Sequence, residues 1–304
     1  MQILVVGAGA TGGYFGARLA QAGRDVTFLV REKRKQQLTQ NGLQVKSPYG
    51  DITLTPKLAL ASELNHPFDL IILTVKSFGL AQAMEDIAPA VGPQTLIMPV
   101  LNGMRHIDIL REKFGAQHVI GGLCKIHATL GEHGEIIQMS RQHKIFYGDL
   151  QGDNGEPLHR VDAAFRDCGV ENALTDNIIS DMWEKWLLLS TLGAVTCLSR
   201  GNTQQVLRAP GGEALLTGIF NEVLAVITAC GYQPRQSQID GTFAFLANPD
   251  TPMTSSMYRD LSQGFAIEAD QIIGDLVARG RQKNIPVPLL NAVWVNLNVY
   301  LQQR

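Results

Sequence analysis

The chain has little of what would staple a small domain, span a bilayer or grip a polyanion. Its four cysteines, at 124, 168, 197 and 230, are widely scattered and form no C-x-x-C pair. That pattern excludes a disulfide framework and a thiolate zinc site, and the thiols read as small buried hydrophobes of a reducing compartment. The seven histidines also lack ligand spacing, with His127 and His133 far from other ligand types, so no metal is expected. An excess of one charge is missing too: 26 Lys and Arg against 28 Asp and Glu leave a net charge of −2. Neither nucleic acid nor an anionic membrane is expected as a partner on that balance. The longest apolar stretch, Trp186 to Leu198, is shorter than the roughly 20 residues that cross a bilayer, and reads as a core helix. Because the first strand begins at residue 2, no leader peptide is expected and the cytoplasm is the expected location. There is no internal repeat and no low-complexity tract.

What is present is ample apolar material. With 304 residues, 45% of them hydrophobic, the chain can bury a large core and is expected to hold two domains. Strand and helix signals alternate through the first half. Ile3–Val6 and Val26–Val30 read as strands flanking a helix from Gly13 to Gln21, and a polar helix follows from Lys33 to Asn41. Leu43–Leu54 reads as a hairpin turning at Pro48-Tyr49-Gly50, and Asp69–Val75 and Thr95–Leu101 as strands covered on both faces. A helix is expected from Phe78 to Ile87, short β segments punctuated by glycine from Val119 to Leu150, and a further helix from Pro157 to Asp167. From Asn177 onward only helical periodicity remains, in segments near 178–198, 212–230, 258–280 and 289–302. The expected architecture is an α/β nucleotide-binding domain over 1–174 followed by an all-α domain over 175–304.

Directly after the first strand stands Gly7-Ala8-Gly9-Ala10-Thr11-Gly12. In a strand–turn–helix context, G-x-G-x-x-G is the dinucleotide fingerprint: one glycine for the turn, one for approach to pyrophosphate, one for close helix packing. The phosphates then meet free amides at the positive end of a helix. Arg31 ends the second strand, where an NAD-binding chain usually has a carboxylate for the ribose 2′-hydroxyl. A guanidinium there suits the 2′-phosphate of NADP, with Lys33, Arg34 and Lys35 adding to the local potential. An ordinary solvated basic turn is the alternative. The missing carboxylate also counts against S-adenosylmethionine.

Ligands of open parallel sheets lie beyond the carboxyl ends of the strands, which singles out Lys76 and Asn102. The plainer readings are a solvated lysine and a turn-forming Asn-Gly. In Trp183-Glu184-Lys185-Trp186, Lys185 opens an apolar helix and suits a general acid. On spacing alone, an ion pair with Asp181, four residues earlier on a wet face, is the favoured reading. Ser256 reads by default as a helix cap, and Glu268 as a surface carboxylate in a later helical stretch.

Taken in order, these pieces resemble the ketopantoate reductase (2-dehydropantoate 2-reductase) family over nearly the whole chain. The resemblance rests on Gly7–Gly12, Arg31, Val75-Lys76, Leu101-Asn102-Gly103, Trp183-Glu184-Lys185, Ser255-Ser256-Met257 through Asp260 to Glu268, and the stretch from Gly280 to Ile285-Pro286-Val287-Pro288. It implies an NADPH-binding Rossmann domain joined to a helical domain like that of 6-phosphogluconate dehydrogenase, with the active site in the cleft between them. It implies the reduction of a 2-oxo acid, ketopantoate by default, in pantothenate biosynthesis, by a monomer or homodimer. Position by position, it makes Lys185 the acid that protonates the keto oxygen and Glu268 the carboxylate that orients substrate. Ser256 becomes a contact for the substrate carboxylate, and Lys76 and Asn102 line the site from the nucleotide domain. Gly7, Ala8, Gly9, Ala10, Thr11, Gly12, Arg31, Lys76, Asn102 and Glu268 are the residues expected to touch cofactor. One departure stands out. Family members commonly carry asparagines four and eight residues after the lysine, where this chain has Leu189 and Gly193. Neither offers an amide to a substrate hydroxyl, so a paralogue reducing a more apolar 2-oxo acid, or an idle NADPH-binding sensor, stays open.

Overall fold

The apolar run after Met1 forms β1 (Gln2–Val6), and Ile3, Leu4 and Val5 are fully buried because both faces of the strand are covered. In the computed structural model, which describes residues 1–304, this strand is the centre of a five-stranded parallel sheet. Its neighbours are β2 (Asp25–Leu29) on one side and β6 (Leu70–Leu73) on the other, with Val5 opposite Phe28 and Ile72. The outer strands are β5 (Lys57–Ala59) and β7 (Leu96–Pro99), giving the order β5-β2-β1-β6-β7. The chain therefore builds outward on one side of β1 and then returns to build on the other. That reversal between β1 and β6 opens the crevice in which such sheets hold ligands. Helices α1 (Ala10–Gln21), α2 (Glu32–Asn41) and α3 (Leu80–Ile87) lie between strands of this sheet in sequence, and α4 (Arg105–Phe114) follows it.

A second sheet was not foreseen. The hairpin of β3 (Leu43–Lys46) and β4 (Ile52–Leu54) forms as expected around Pro48-Tyr49-Gly50. It then adds to β9 (Ile136–Gly148), which also pairs with β8 (Gly121–Leu130) and β10 (Glu171–Leu174). The expected short segments of 119–150 are thus two long antiparallel strands of 10 and 13 residues. Gly131 and Gly134 mark only the turn between them, closed by Gly131 N–H on the carbonyl of Glu135 at 2.8 Å. Polar Ser140, Arg141 and Gln142 interrupt the alternation in a strand that is buried at both ends, which hid its length. Tyr14, Phe15, Phe28, Tyr147 and Phe165, the last from α5 (Glu156–Phe165), are the large side chains of this core. This unit comprises Met1–Leu101 and His106–Ile179.

The other unit comprises Asn102–Arg105 and Ser180–Arg304, and apart from the short first segment it is helical. Helix α6 (Ile178–Ser199) leads into α7 (Thr203–Arg208), α8 (Gly212–Ala229), α9 (Gln236–Leu246) and α10 (Ser256–Ser262). A π-helical turn, Asp270–Gly274, then runs into α11 (Asp275–Gln282), and α12 (Pro288–Gln302) ends the chain. The single helical segment expected near 258–280 is therefore two, separated by a non-helical stretch at Phe265–Glu268. Helices α7 and α9 were not expected, since one is six residues long and the other carries Gly241 in mid-helix. Helix α8 is long and apolar enough by length and composition to cross a membrane. Here Leu216, Ile219, Phe220, Val223, Val226 and Ile227 are buried, and the helix packs on α7, α11 and α12 as the centre of its unit.

Candidate active site

At the end of β1 each glycine of the fingerprint has a separate reason to be there. Gly7 has φ +96°, a conformation that side chains with a Cβ rarely adopt. A Cβ on Gly12 would collide with the Gly7 carbonyl and the Thr74 hydroxyl, so the helix can start this close to the strand only without one. Gly9 is different: nothing lies within 4 Å of where its Cβ would stand. That open side, next to the first unpaired amides of α1, is shaped for a group the chain does not supply. Thr74, directly after β6, donates its hydroxyl to the Val6 carbonyl at 2.7 Å and reaches the Gly7 carbonyl at 3.1 Å, fixing the turn. Sequence reading absorbed Thr74 into the strand; a hydroxyl at the carboxyl end of a buried strand was the available signal.

The basic cluster after β2 divides by role. Arg31 is exposed, at the entry to α2, and neither its side chain nor that of Lys33 has a hydrogen-bond or ionic partner in the chain. Lys35 is neutralised by Glu63, at 2.6 and 2.8 Å. Arg34 turns inward onto the loop, donating to the carbonyl of Ala8. The uniform positive cluster expected from sequence is thus corrected to two available cations. Lys76 is exposed and leads a short 3-10 turn, Ser77–Gly79. A pyridine dinucleotide fits what this unit offers: an open glycine face, helix amides and two unpaired cations at the edge of the second strand.

Of the remaining candidates, Asn102 and Glu268 lie at the π-turn of the helical unit, and Lys185 is next to a residue bonded to it. The side-chain amide of Gln271 donates to the Asn102 carbonyl at 3.0 Å, and a Cβ on Gly103 would lie 2.8 Å from the Gln271 carbonyl. Glu268 stands just before this turn, half-buried, and its carbonyl accepts the Ile272 N–H at 3.0 Å. It is the entry residue of the helix and not, as read from sequence, part of its interior. At that end the helix dipole favours a carboxylate. The buried indole of Trp186 donates to the Ile272 carbonyl at 3.1 Å, which ties α6 to the same turn. Lys185, next to Trp186, is half-buried. One widened helical turn therefore gathers Asn102, Glu268 and the segment that carries Lys185. Such turns recur at functional sites.

Around Lys185 the neighbouring side chains are locked. The Glu184 carboxylate is buried and receives the Arg235 backbone N–H and Nε, both at 2.9 Å, and also its Nη2. The same guanidinium reaches Asp181 at 2.6 Å, and these carboxylates hold its pKa above the ordinary range. Trp183 stacks on Tyr232, with ring centroids 4.5 Å apart, and Arg279 lies over Trp183 and Trp186. Asp181 thus has a role in fixing Arg235 that spacing alone did not reveal. At α10 the cap is Ser255, not Ser256: the Ser255 hydroxyl accepts the Tyr258 N–H at 2.9 Å, and its backbone is extended. Ser256 is the first helical residue and is exposed. Burial pushes the neighbouring Cys197 thiol up to about 12, which makes it a poor nucleophile.

On α6, Leu188 and Leu189 are partly open, whereas Gly193, farther along, is covered. The cover is Met257, buried, whose terminal methyl lies 3.0 Å from the position of a Gly193 Cβ. Beyond Lys185, α6 thus carries Leu189 and a Gly193 packed under the Met257 thioether, with no side-chain amide at either position.

Comparison with known proteins identifies the family and the fold. The sequence profile of the ketopantoate reductase PanE/ApbA family matches residues 3–152, and that of its C-terminal region matches residues 177–301. A curated relative from Bacillus subtilis, bearing the name uncharacterized oxidoreductase YkpB, is 33% identical over 99% of both chains. The crystal structure of a 2-dehydropantoate 2-reductase from Methylococcus capsulatus superposes with a TM-score of 0.88 at 27% identity, covering 100% of this chain and 97% of that one. A D-mandelate dehydrogenase solved with NADH and anilino(oxo)acetate shares the fold at 22% identity, with a TM-score of 0.89 over 100% of this chain and 99% of its own. With both regions matched in order on a Rossmann-like unit and a helical unit, the chain belongs to the ketopantoate reductase family, whose members are pyridine-nucleotide oxidoreductases.

Proposed function

We propose that the protein uses NADPH to reduce a 2-oxo acid to the 2-hydroxy acid, with ketopantoate to pantoate, the pantothenate-forming reaction, as the reference case. The observation that carries the reading is the gathering of Asn102, Glu268 and the Lys185 segment on one π-turn. NADPH is favoured over NADH by Arg31 and Lys33, which have no internal partner at the edge of β2. When bound, the nicotinamide supplies a hydride to the keto carbon. Gly7, Ala8, Gly9, Ala10, Thr11 and Gly12 hold the pyrophosphate, and Arg31 the 2′-phosphate. Lys76 and Asn102 contact both cofactor and substrate. Lys185 hydrogen-bonds the keto oxygen and gives it the proton from Nζ as negative charge develops there. Glu268 orients substrate and also touches cofactor, and the Ser256 hydroxyl donates to the substrate carboxylate. Residues 1–174 serve as the nucleotide domain and 175–304 as the substrate domain of a cytoplasmic monomer or homodimer.

Leu189 and Gly193, neither of which offers an amide, favour a second choice of substrate, a branched 2-oxo acid without a hydroxyl. NADPH oxidation measured against ketopantoate and a panel of other 2-oxo acids, with NADH in parallel, decides among these. Turnover of at least one acid with NADPH preferred is the expected result. No turnover with any acid overturns the proposal.

A further inference from the structure

Arg34 is the most heavily engaged cation of the nucleotide-binding unit, and every partner it has is neutral. Its Nε and Nη2 both donate to the Ala8 carbonyl, at 3.2 and 2.9 Å. Nη2 also reaches the Gly134 carbonyl at 2.9 Å, and Nη1 the side-chain oxygen of Gln37 at 2.5 Å. Gln37 in turn donates to the His133 carbonyl at 2.6 Å. Gly134 has φ +82°, and a Cβ there would run into Arg34 and Gln37, so the tip of the β8–β9 hairpin is pressed against α2. Three segments far apart in sequence, the glycine loop, α2 and this hairpin tip, therefore meet on one guanidinium.

A half-buried charge with only amide acceptors is costly unless negative charge arrives nearby. Burial indeed lowers the Arg34 pKa, and no carboxylate offsets the effect. The residue after Ala8 is Gly9, whose open face the dinucleotide reading assigns to the pyrophosphate. We infer that Arg34 is a positioning residue for that pyrophosphate, pinning the Ala8 carbonyl so that the amides beyond it face the phosphates. Its charge lies behind the loop and complements the phosphates without reading the 2′ position, and the hairpin tip becomes part of the nucleotide site. The inference rests on the dinucleotide reading of the loop.

The test is equilibrium binding of NADPH, NADH, ADP and adenosine to wild type, Arg34→Gln and Arg34→Lys, with thermal unfolding to confirm the fold. Arg34→Gln is expected to weaken NADPH, NADH and ADP by a common factor of about tenfold or more, the size of a lost charge-assisted contact. Adenosine, which lacks phosphate, should bind as before, and Arg34→Lys should recover part of the loss. Gln37→Ala and Gly134→Ala, which loosen the brace without removing the charge, should give a smaller loss of the same pattern. A loss confined to NADPH would show that Arg34 reads the 2′-phosphate, and an equal loss for adenosine would reduce it to a structural tie; either overturns the inference, as does unchanged affinity. Wild-type protein that binds none of the nucleotides would overturn the dinucleotide reading itself.

Discussion

Two arginines three positions apart, Arg31 and Arg34, belong to one basic cluster in the sequence, and the structure separates their roles. Arg31 has no internal partner, whereas Arg34 holds three backbone or side-chain oxygens. Arg31→Ala is therefore expected to raise KM for NADPH about tenfold or more while leaving NADH nearly unchanged, since a charge-assisted contact is worth roughly 1.5–3 kcal/mol. An unaltered preference in steady-state kinetics would place phosphate recognition elsewhere. For Lys185→Ala, kcat should fall by about 10²–10⁴ with nucleotide binding intact, the span usual for a lost general acid. The basic limb of the pH–rate profile should go with it, because that limb reports deprotonation of the acid. Near-normal turnover in a folded variant would return Lys185 to a structural role. At this scale the sequence offers candidate side chains but not their partners. The neighbours Ser255 and Ser256 look alike on paper, and only the extended backbone of Ser255 decides which caps. Glu184 gave no sign of being buried under Arg235, fifty-one positions away.

Among elements, those with a strong local period were legible and those that depend on distant pairing were not. The buried strands and the long helices were visible because apolar residues repeat within a few positions. The second sheet was hidden because β3 finds β9 some ninety positions later (Val45 opposite Ile136), a match no local pattern encodes. That sheet carries a pH response. On its strand β9, His143 lies 2.8 Å from the Tyr14 hydroxyl and stacks on Tyr49 with ring centroids 3.7 Å apart. Burial, and then the nearby Arg18, hold its pKa below 6.5. The unfolded chain accordingly takes up a proton near 6.5 that the folded one refuses, so this contribution to stability is complete above that pH and is lost as pH falls through it. Thermal unfolding should show Tm level above about pH 7 and declining below about 6.5, by roughly 2–4 °C for each kcal/mol lost. His143→Gln should be less stable at neutral pH yet lose less on acidification. A parallel decline in both proteins would assign the response to other groups.

For the whole molecule, an α/β unit followed by a helical one was legible from the loss of strand signals from Asn177 onward, and the family from motifs spread along the chain. For substrate choice the sequence offers only a departure, Leu189 and Gly193. The structure adds that Met257 packs against Gly193, its methyl 3.0 Å from where a Cβ would stand. A pocket without hydroxyl partners discriminates weakly, so kcat/KM for ketopantoate should exceed that for a hydroxyl-free branched 2-oxo acid by less than about 10²-fold. Leu189→Asn with Gly193→Asn should move the ratio toward ketopantoate once Met257 is shortened to make room. A wild-type ratio far above that bound would mean that other groups bind the hydroxyl.

The π-turn at Asp270–Gly274 also has a consequence for inheritance. Its closing bond, from the Asp275 N–H to the Asp270 carbonyl, spans one residue more than an α-helical bond. Deleting a single codon there would restore the ordinary winding and, because the widened turn absorbs one surplus residue, leave the segments on either side in register. The downstream helix and its packing would survive the deletion. The change would fall on the turn itself, where the Ile272 carbonyl accepts the Trp186 indole N–H and Gln271 reaches the Asn102 carbonyl, so one gap at this place would cut the ties and spare the helix.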